Sequence, residues 1–328
     1  MSILTATIGV WFVTLLWGSW FQTVKHIKNY PVHAFITLMY AISVCLVWVC
    51  IGCFGQEMVK HGVFYEIKSN MYLSFIIMVC GGIFGIAMQM HLYIVKRIGL
   101  ILSTSVSATC AILGGTFVSL WFAGVPEGVS IPFILIASCL LICATICCQY
   151  AGYRHEVDVE NEKSTASSRG KDVVLLAFIN FVLMSSYPLA NSLGLRTLLN
   201  PNGFSSLTCM GLLVIGAFLG ACLFSFMQLH KKGWNSIKKC DISFSKLLCL
   251  AAIAAFAHFG GNVLHSIFAP IISVSIATAM GNSYHVWSYI WGLCYGEFKG
   301  ASLKTYLLLG FGILLFITGV LLLSLNTA

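Results

Sequence analysis

The stretch Phe256–Gly300 reads FAHFGGNVLHSIFAPIISVSIATAMGNSYHVWSYIWGLCYGEFKG and is apolar enough over most of its length to lie in a bilayer. It nevertheless carries His258, Asn262, His265, Asn282, Ser283, Tyr284 and His285. Polar groups at mid-bilayer depth cost on the order of a few kcal/mol each, and those found there face a bundle interior or a water-filled cavity. His258, Asn262 and His265 are spaced i, i+4, i+7, which places them on one helical face. Asn282, His285 and Tyr289 are spaced i, i+3, i+7 and share another. Pro270 has no N–H to continue a helical ladder, so it is expected to separate two helices, each turning its polar stripe toward a shared cavity.

The rest of the chain has the same character. Its 328 residues are 59% apolar and only 9% charged, against about 25% charged in a soluble domain, and the mean hydropathy is +0.93. This composition specifies an all-α membrane protein. A helix needs about 20 mostly apolar residues to cross a bilayer. Ten such spans are predicted, at about 2–21, 33–54, 71–93, 100–123, 130–150, 173–192, 204–229, 245–266, 270–294 and 303–325. They are long and continuous rather than short and alternating, which excludes a membrane β-barrel. No Lys or Arg precedes the first span, and WGSWFQTVK at its end is not a small-residue cleavage site, so it is read as a membrane helix and not as a cleaved signal. The fourteen cysteines are scattered, mostly inside spans. No His or second Cys pair completes a zinc pattern around Cys143, Cys147 and Cys148, so they are read as small buried hydrophobes and no metal or other cofactor is expected.

The net charge of +8 reflects orientation rather than affinity for nucleic acid. Fifteen of the eighteen Lys and Arg fall in the loops after odd-numbered spans, and only Lys60, Lys68 and Arg196 fall on the other side. The positive-inside rule puts the odd loops in the cytoplasm and both termini outside, in a plasma membrane or bacterial inner membrane. The basic loop HKKGWNSIKKCD at 230–241 would attract anionic lipid. The one long polar run, RHEVDVENEKSTASSRGK at 154–171, lacks aromatics and reads as a flexible cytoplasmic linker. It divides the chain into a first five-helix repeat (1–153) and a second (172–328). Leu16-Trp17-Gly18-Ser19-Trp20 aligns with Leu183-Met184-Ser185-Ser186-Tyr187, Ser105-Val106-Ser107 with Ser273-Val274-Ser275, and Trp121 and Glu127 with Trp291 and Glu297, always at a separation of 167–170. An odd number of spans per repeat inverts one half relative to the other. Inverted repeats are a transporter signature, with the substrate site near the midplane where the halves meet.

Polar residues inside spans are the candidates for that site. Trp17 offers a ring for stacking, although its position also suits an interfacial aromatic belt. Gln89 is a cavity candidate in a span whose Gly81, Gly82 and Gly85 suit close packing. Tyr187 sits at the repeat position of Trp20, beside Pro188, which frees a backbone carbonyl. With these stand His258, Asn262, Asn282, Tyr284 and His285, for which the alternative role is hydrogen-bonded glue between helices. None of the ten acids lies deep in a span, which argues against a paired-carboxylate enzyme site and a carboxylate proton relay. Histidine remains as the titratable group inside, with His258 and His285 as proton-coupling candidates. No Walker A sequence is present, so ATP is not the driver. Glu297, beside Lys299, reads as a surface ion pair or a cytoplasmic gate contact. The fifth and tenth spans are almost devoid of polar groups and are expected outside the cavity, as scaffold or as a homodimer contact.

Ten spans in a five-plus-five inverted repeat, Gly18-Ser19-Trp20 followed by Lys25, and GEFKG (296–300) before the last span form a pattern that resembles the drug/metabolite transporter superfamily. Within it the chain is most similar to the rhamnose–proton symporter and glucose-uptake branch, with the plant ureide permeases nearby. The central loop lacks the Walker-like sequence associated with ureide permeases. The resemblance implies a cavity lined by spans one to four and six to nine, with five and ten peripheral, and secondary transport of a small polar metabolite. A neutral sugar-like solute suits Asn, Gln, Tyr, Trp and His, which offer donors and acceptors without net charge. A nucleobase or ureide would stack and pair on the same residues. A drug exporter would be expected to have a more uniformly apolar cavity. A membrane enzyme would have only His258 and His265 to build on.

Overall fold

The computed structural model describes residues 1–59, 61–98, 100–125, 127–160, 174–176, 178–232, 234–238, 240–296 and 298–325. At 93–98, 100–108, 156, 159–160, 180 and 231–232 it describes the backbone alone. Glu297, most of the polar linker and the side chains of Ser103–Ser107 therefore lie outside the described residues.

The chain is helical, with no strand beyond an isolated bridge between Leu195 and Phe204 among the described residues. This follows from the solvent: a segment crossing hydrocarbon must satisfy its backbone polar groups internally, and a helix does so alone. The elements are α1 (Ile3–Ser19), which tightens into a 3₁₀ turn over Trp20–His26, α2 (Val32–Met58), the short α3 (Val63–Ser69), α4 (Met71–Ile98), α5 (Leu100–Phe122) and α6 (Ile131–Glu160). Then come α7 (Val174–Gly194), α8 (Ser206–Lys232), α9 (Phe244–Ile272), α10 (Val274–Gly281), α11 (His285–Cys294) and α12 (Leu303–Leu325). Among the described residues eight helices are long and apolar enough to cross a membrane: α1 with its 3₁₀ turn, α2, α4, α6, α7, α8, α9 and α12. The chain is thus a multi-pass membrane protein. Where the fourth and ninth spans are predicted stand α5, apolar over Thr109–Phe122, and the pair α10–α11.

Two boundaries differ from expectation. Pro270 does not separate two helices; it lies inside α9, and the chain breaks at Ser273, where φ is +113°. The proline is tolerated because the carbonyl it leaves without a donor, that of Ser266, accepts from the Ser206 hydroxyl at 2.6 Å. Residues 154–160, read as the start of the linker, continue α6. Asp158 ties that last turn down: its Oδ2 accepts from the Ser302 N–H at 2.9 Å and the Thr305 hydroxyl at 2.8 Å, capping α12. The Ser302 N–H, then the two hydroxyls beside it, hold the Asp158 carboxyl at about 2.

Helix–helix contacts are made by small residues. A Cβ at Gly81 would lie 2.2 Å from the Leu213 carbonyl oxygen, one at Gly85 2.2 Å from that of Ala217, one at Gly216 2.0 Å from that of Met78, and one at Gly220 2.1 Å from that of Gly82. The two i, i+4 glycine pairs bring the α4 and α8 backbones into direct contact, the close approach that favours association in lipid. Gly312 and Gly319 of α12 seat likewise against Cys148 and Leu141 of α6. Around these pairs, α1 packs on α9, α10 and α11; α2 on α4, α8 and α9; α4 on α5 and α7; and α8 on α9. Further, α5 packs on α6, α7 and α10, and α10 on α12.

Candidate functional site

Four of the elements that meet at the centre, α1, α7, α9 and the α10–α11 pair, depart from regular α geometry there. Bulk lipid offers no partner for a freed backbone group, so such departures survive only where side chains re-satisfy it. In α7 a π-helical turn over Ile179–Leu183 precedes a fresh helical start at Ser186. The Ser185 hydroxyl donates to the Phe181 carbonyl, and that of Ser186 to the Leu183 carbonyl at 2.6 Å. Pro188 then falls in a first helical turn, where an N–H has no intrahelical partner anyway. In α9 a second π-helical turn, Phe256–Gly260, carries His258; such turns recur at functional sites. The turn Asn282–Tyr284 between α10 and α11 is 3₁₀. At the end of α1, Gly18 admits α11: a Cβ there would lie 2.4 Å from the Tyr284 carbonyl oxygen. The Trp287 indole N–H donates to the Thr14 hydroxyl at 2.9 Å and that of Trp291 to Ser19 at 2.8 Å, fastening α11 to α1.

Between these elements lies an interior cavity of about 100 Å³, several times the ~10–15 Å³ that admits one water. Six of the eight residues predicted for the site border it: Trp17, Tyr187, His258, Asn262, Asn282 and Tyr284. Trp17 is the hub. Its ring meets Tyr187 and Tyr284 edge-on at 5.8 and 6.3 Å and lies 5.1 Å from the His265 ring, while its N–H donates to the His258 carbonyl at 3.3 Å. Among the described residues no Asp, Glu, Lys or Arg borders the cavity.

The two other predicted residues are elsewhere. Gln89 donates to the His33 carbonyl at 3.0 Å and reaches the Thr37 and Ser225 hydroxyls at 3.4 and 3.5 Å, joining α2, α4 and α8. His285 stacks on Tyr284 at 3.9 Å and is not among the lining residues. Its neighbour Tyr284, in the 3₁₀ turn, borders the cavity instead, and its ring stands against that of His285. Of the two proton-coupling candidates, only His258 borders the cavity.

His265, on the same stripe as His258 and Asn262, also lines the cavity; its spacing was the available signal. Its Nδ1 lies 3.4 Å from the Tyr187 hydroxyl. Phe84, Met88, Ala111, Gly115 and Thr278 are among the other lining residues and carried no signal, since apolar or hydroxyl residues in a span read as packing. Both ring nitrogens of His258, Nδ2 of Asn262, Nε2 of His265, Oγ1 of Thr278 and Nδ2 of Asn282 are buried without a hydrogen-bond partner. Native interiors leave few such groups, so a cluster of them around one void marks a place where a ligand or ordered water supplies the partners. A second cleft, of about 150 Å³, lies around Glu127, Leu199 and Ser273 and is bordered by none of the predicted site residues. Among the described residues no group of three or more His, Cys, Asp or Glu is placed to hold a metal ion. No family model and no curated protein matches the chain.

Proposed function

We propose that the chain is a secondary-active or facilitative carrier that moves a small neutral polar solute through the central cavity by alternating access. In this reading ten membrane helices form two inverted five-helix repeats, with α10 and α11 together serving as the ninth. Both termini face outward and the linker faces the cytoplasm.

The observation that carries the reading is the arrangement of the cavity walls. Trp17 and Met184, Trp20 and Tyr187, Phe21 and Pro188, Ala111 and Thr278, and Gly115 and Asn282 all border the cavity, and each pair is separated by 167 residues. Phe84 with His258 and Met88 with Asn262 add two pairs at a separation of 174. Without a repeat, a lining position in one half says nothing about the other half. The packing supports the same exchange. Swapping each helix for its counterpart turns the α1–α9 contact into α7–α4, α4–α8 into α9–α2, α1–α10 into α7–α5, and α5–α6 into α10–α12, all of which occur. A site on the axis between inverted repeats is the arrangement in which rocking one half against the other exposes it to alternate sides. The described lining residues carry no charge, which supports a neutral solute, since a buried charge without a partner would be strongly disfavoured.

The test is transport by the purified chain in sealed proteoliposomes, over a panel of sugars, polyols, nucleobases and ureides. Saturable accumulation or equilibration of at least one of them is expected. Liposomes as impermeable as protein-free controls to the whole panel would overturn the reading.

A further inference from the structure

The two halves contribute different chemistry to the cavity. Among the described residues, α4 and α5 contribute Phe84, Met88, Ala111 and Gly115, none with a side-chain hydrogen-bonding group. Their counterparts in the second half are His258, Asn262, Thr278 and Asn282, and every one of these holds a buried nitrogen or oxygen without a partner. Among the described lining residues of the first half only Trp17 and Trp20 carry a hydrogen-bonding side chain, one indole N–H each, and that of Trp17 is bound to the His258 carbonyl. Among the described residues, buried unpartnered hydrogen-bonding atoms at the cavity are therefore confined to α9, α10 and the turn after α10. Hydrocarbon and ring faces make up most of the remainder.

A ligand that satisfies this cavity presents its donors and acceptors along one edge and apolar surface elsewhere. A sugar or polyol carries hydroxyls around its whole perimeter and would leave several of them buried against Phe84, Met88 and the aromatic rings, where unmade hydrogen bonds are costly. A flat ring with an amide edge fits both walls. Its C=O and N–H meet the amides, imidazoles and hydroxyl of the second half, which can donate and accept, and its π-faces and remaining edge meet the apolar side chains. We propose that the ligand is a neutral planar heterocycle carrying a ring amide, of the pyrimidine-base type, whose C5–C6 edge is apolar. Its amide edge is held by Asn262, Thr278, Asn282 and His258, and its apolar edge lies toward Phe84 and Met88. This rests on the carrier reading and narrows its substrate from any small neutral polar solute to a pyrimidine-type base.

The experiment uses the full chain in lipid nanodiscs. Its melting temperature is followed with uracil and thymine and, in parallel, with glucose, rhamnose and xylitol at the same concentrations. A rise with at least one base and none with the sugars or the polyol is expected. Asn282→Ala should weaken base binding by tenfold or more. Thr278→Val, which keeps the side-chain shape, should do so as well and serves if the first variant does not fold. A rise with glucose, rhamnose or xylitol alone would overturn the base assignment and leave the carrier reading standing. Base binding unchanged in both variants would overturn the assigned edge. No rise with any probe, together with inert proteoliposomes, would remove both readings.

Discussion

Two buried amides show how partners, rather than residue type, separate structural from functional roles. Gln89 reaches three oxygens on α2 and α8, whereas Nδ2 of Asn282 reaches none and borders the cavity. Gln89→Ala is expected to lower the melting temperature, in line with the ~0.6–1.7 kcal/mol of a hydrogen bond between membrane helices, and to leave ligand affinity unchanged. Asn282→Ala is expected to keep or raise the melting temperature of the unliganded chain, because it removes an unpaired buried donor, while affinity falls. Thermal unfolding and equilibrium binding on the same preparations read both; the opposite pattern would exchange the two roles. Helical spacing was enough to find His258 and Asn262, because a stripe depends only on neighbours within two turns. The role of Gln89 depends on His33, Thr37 and Ser225, far away in sequence and invisible to spacing. Glu66 was equally hidden. Counted as a loop charge, it is buried, accepts from the Ser205 N–H and hydroxyl at 3.0 and 2.8 Å, and pairs with Arg196 at 2.7 Å. Burial pushes its carboxyl up, but the hydrogen bonds from Thr208 and Ser205 and the Arg196 charge outweigh it and hold the group below its ordinary value. A depressed folded value means the stabilisation is complete above the unfolded value of about 4.3 and is lost as pH falls through the folded one. Stability of the wild type should therefore fall more steeply below about pH 4 than that of Glu66→Gln, as followed by melting temperature against pH; parallel curves would refute it.

At the scale of the element, the departures from regular helix are what sequence periodicity misses. A proline signals a break, and Pro270 would make one if nothing replaced its missing N–H. The Ser206 hydroxyl, from another helix, donates to the Ser266 carbonyl in its place. The compensation predicts a coupling. Ser206→Ala alone strands a buried carbonyl and should cost about 1–3 kcal/mol. In a Pro270→Ala background the helix supplies its own N–H to the same carbonyl, so the serine substitution should cost little. A double-mutant cycle on unfolding free energy measures the difference, and additive effects would refute the compensation. His285 shows the same limit of periodicity: its ring lies against that of Tyr284, which takes the place at the cavity, and spacing alone does not reveal that exchange. Hydrophobicity located most of the helices to within a few residues, though not the polar end of α6, because burial in lipid is an average over some 20 side chains, whereas π and 3₁₀ turns depend on a few specific contacts.

At the scale of the molecule, the ten-span reading can be separated from one in which only the eight long apolar helices cross. Both give an even number of crossings and put the two ends of the chain on one side of the membrane, so the termini cannot distinguish them. The linker can. If α5 crosses, five crossings separate the start of α1 from residues 161–173, and the two lie on opposite sides. If α5 does not cross, four crossings separate them, and they lie on the same side. The inverted repeat needs the odd number, because only then does the second half enter the membrane from the face opposite to the first. The charge pattern agrees: Lys and Arg cluster in the loops that five crossings place with the linker, leaving Lys60, Lys68 and Arg196 opposite. A protease site inserted within 161–173 should be cut in inside-out vesicles and protected in intact cells, while an epitope added before α1 should be reached by antibody only from outside intact cells. Access to both from the same side would mean that α5 does not cross, and the paired lining of the cavity would then need another origin than a two-fold axis in the membrane plane.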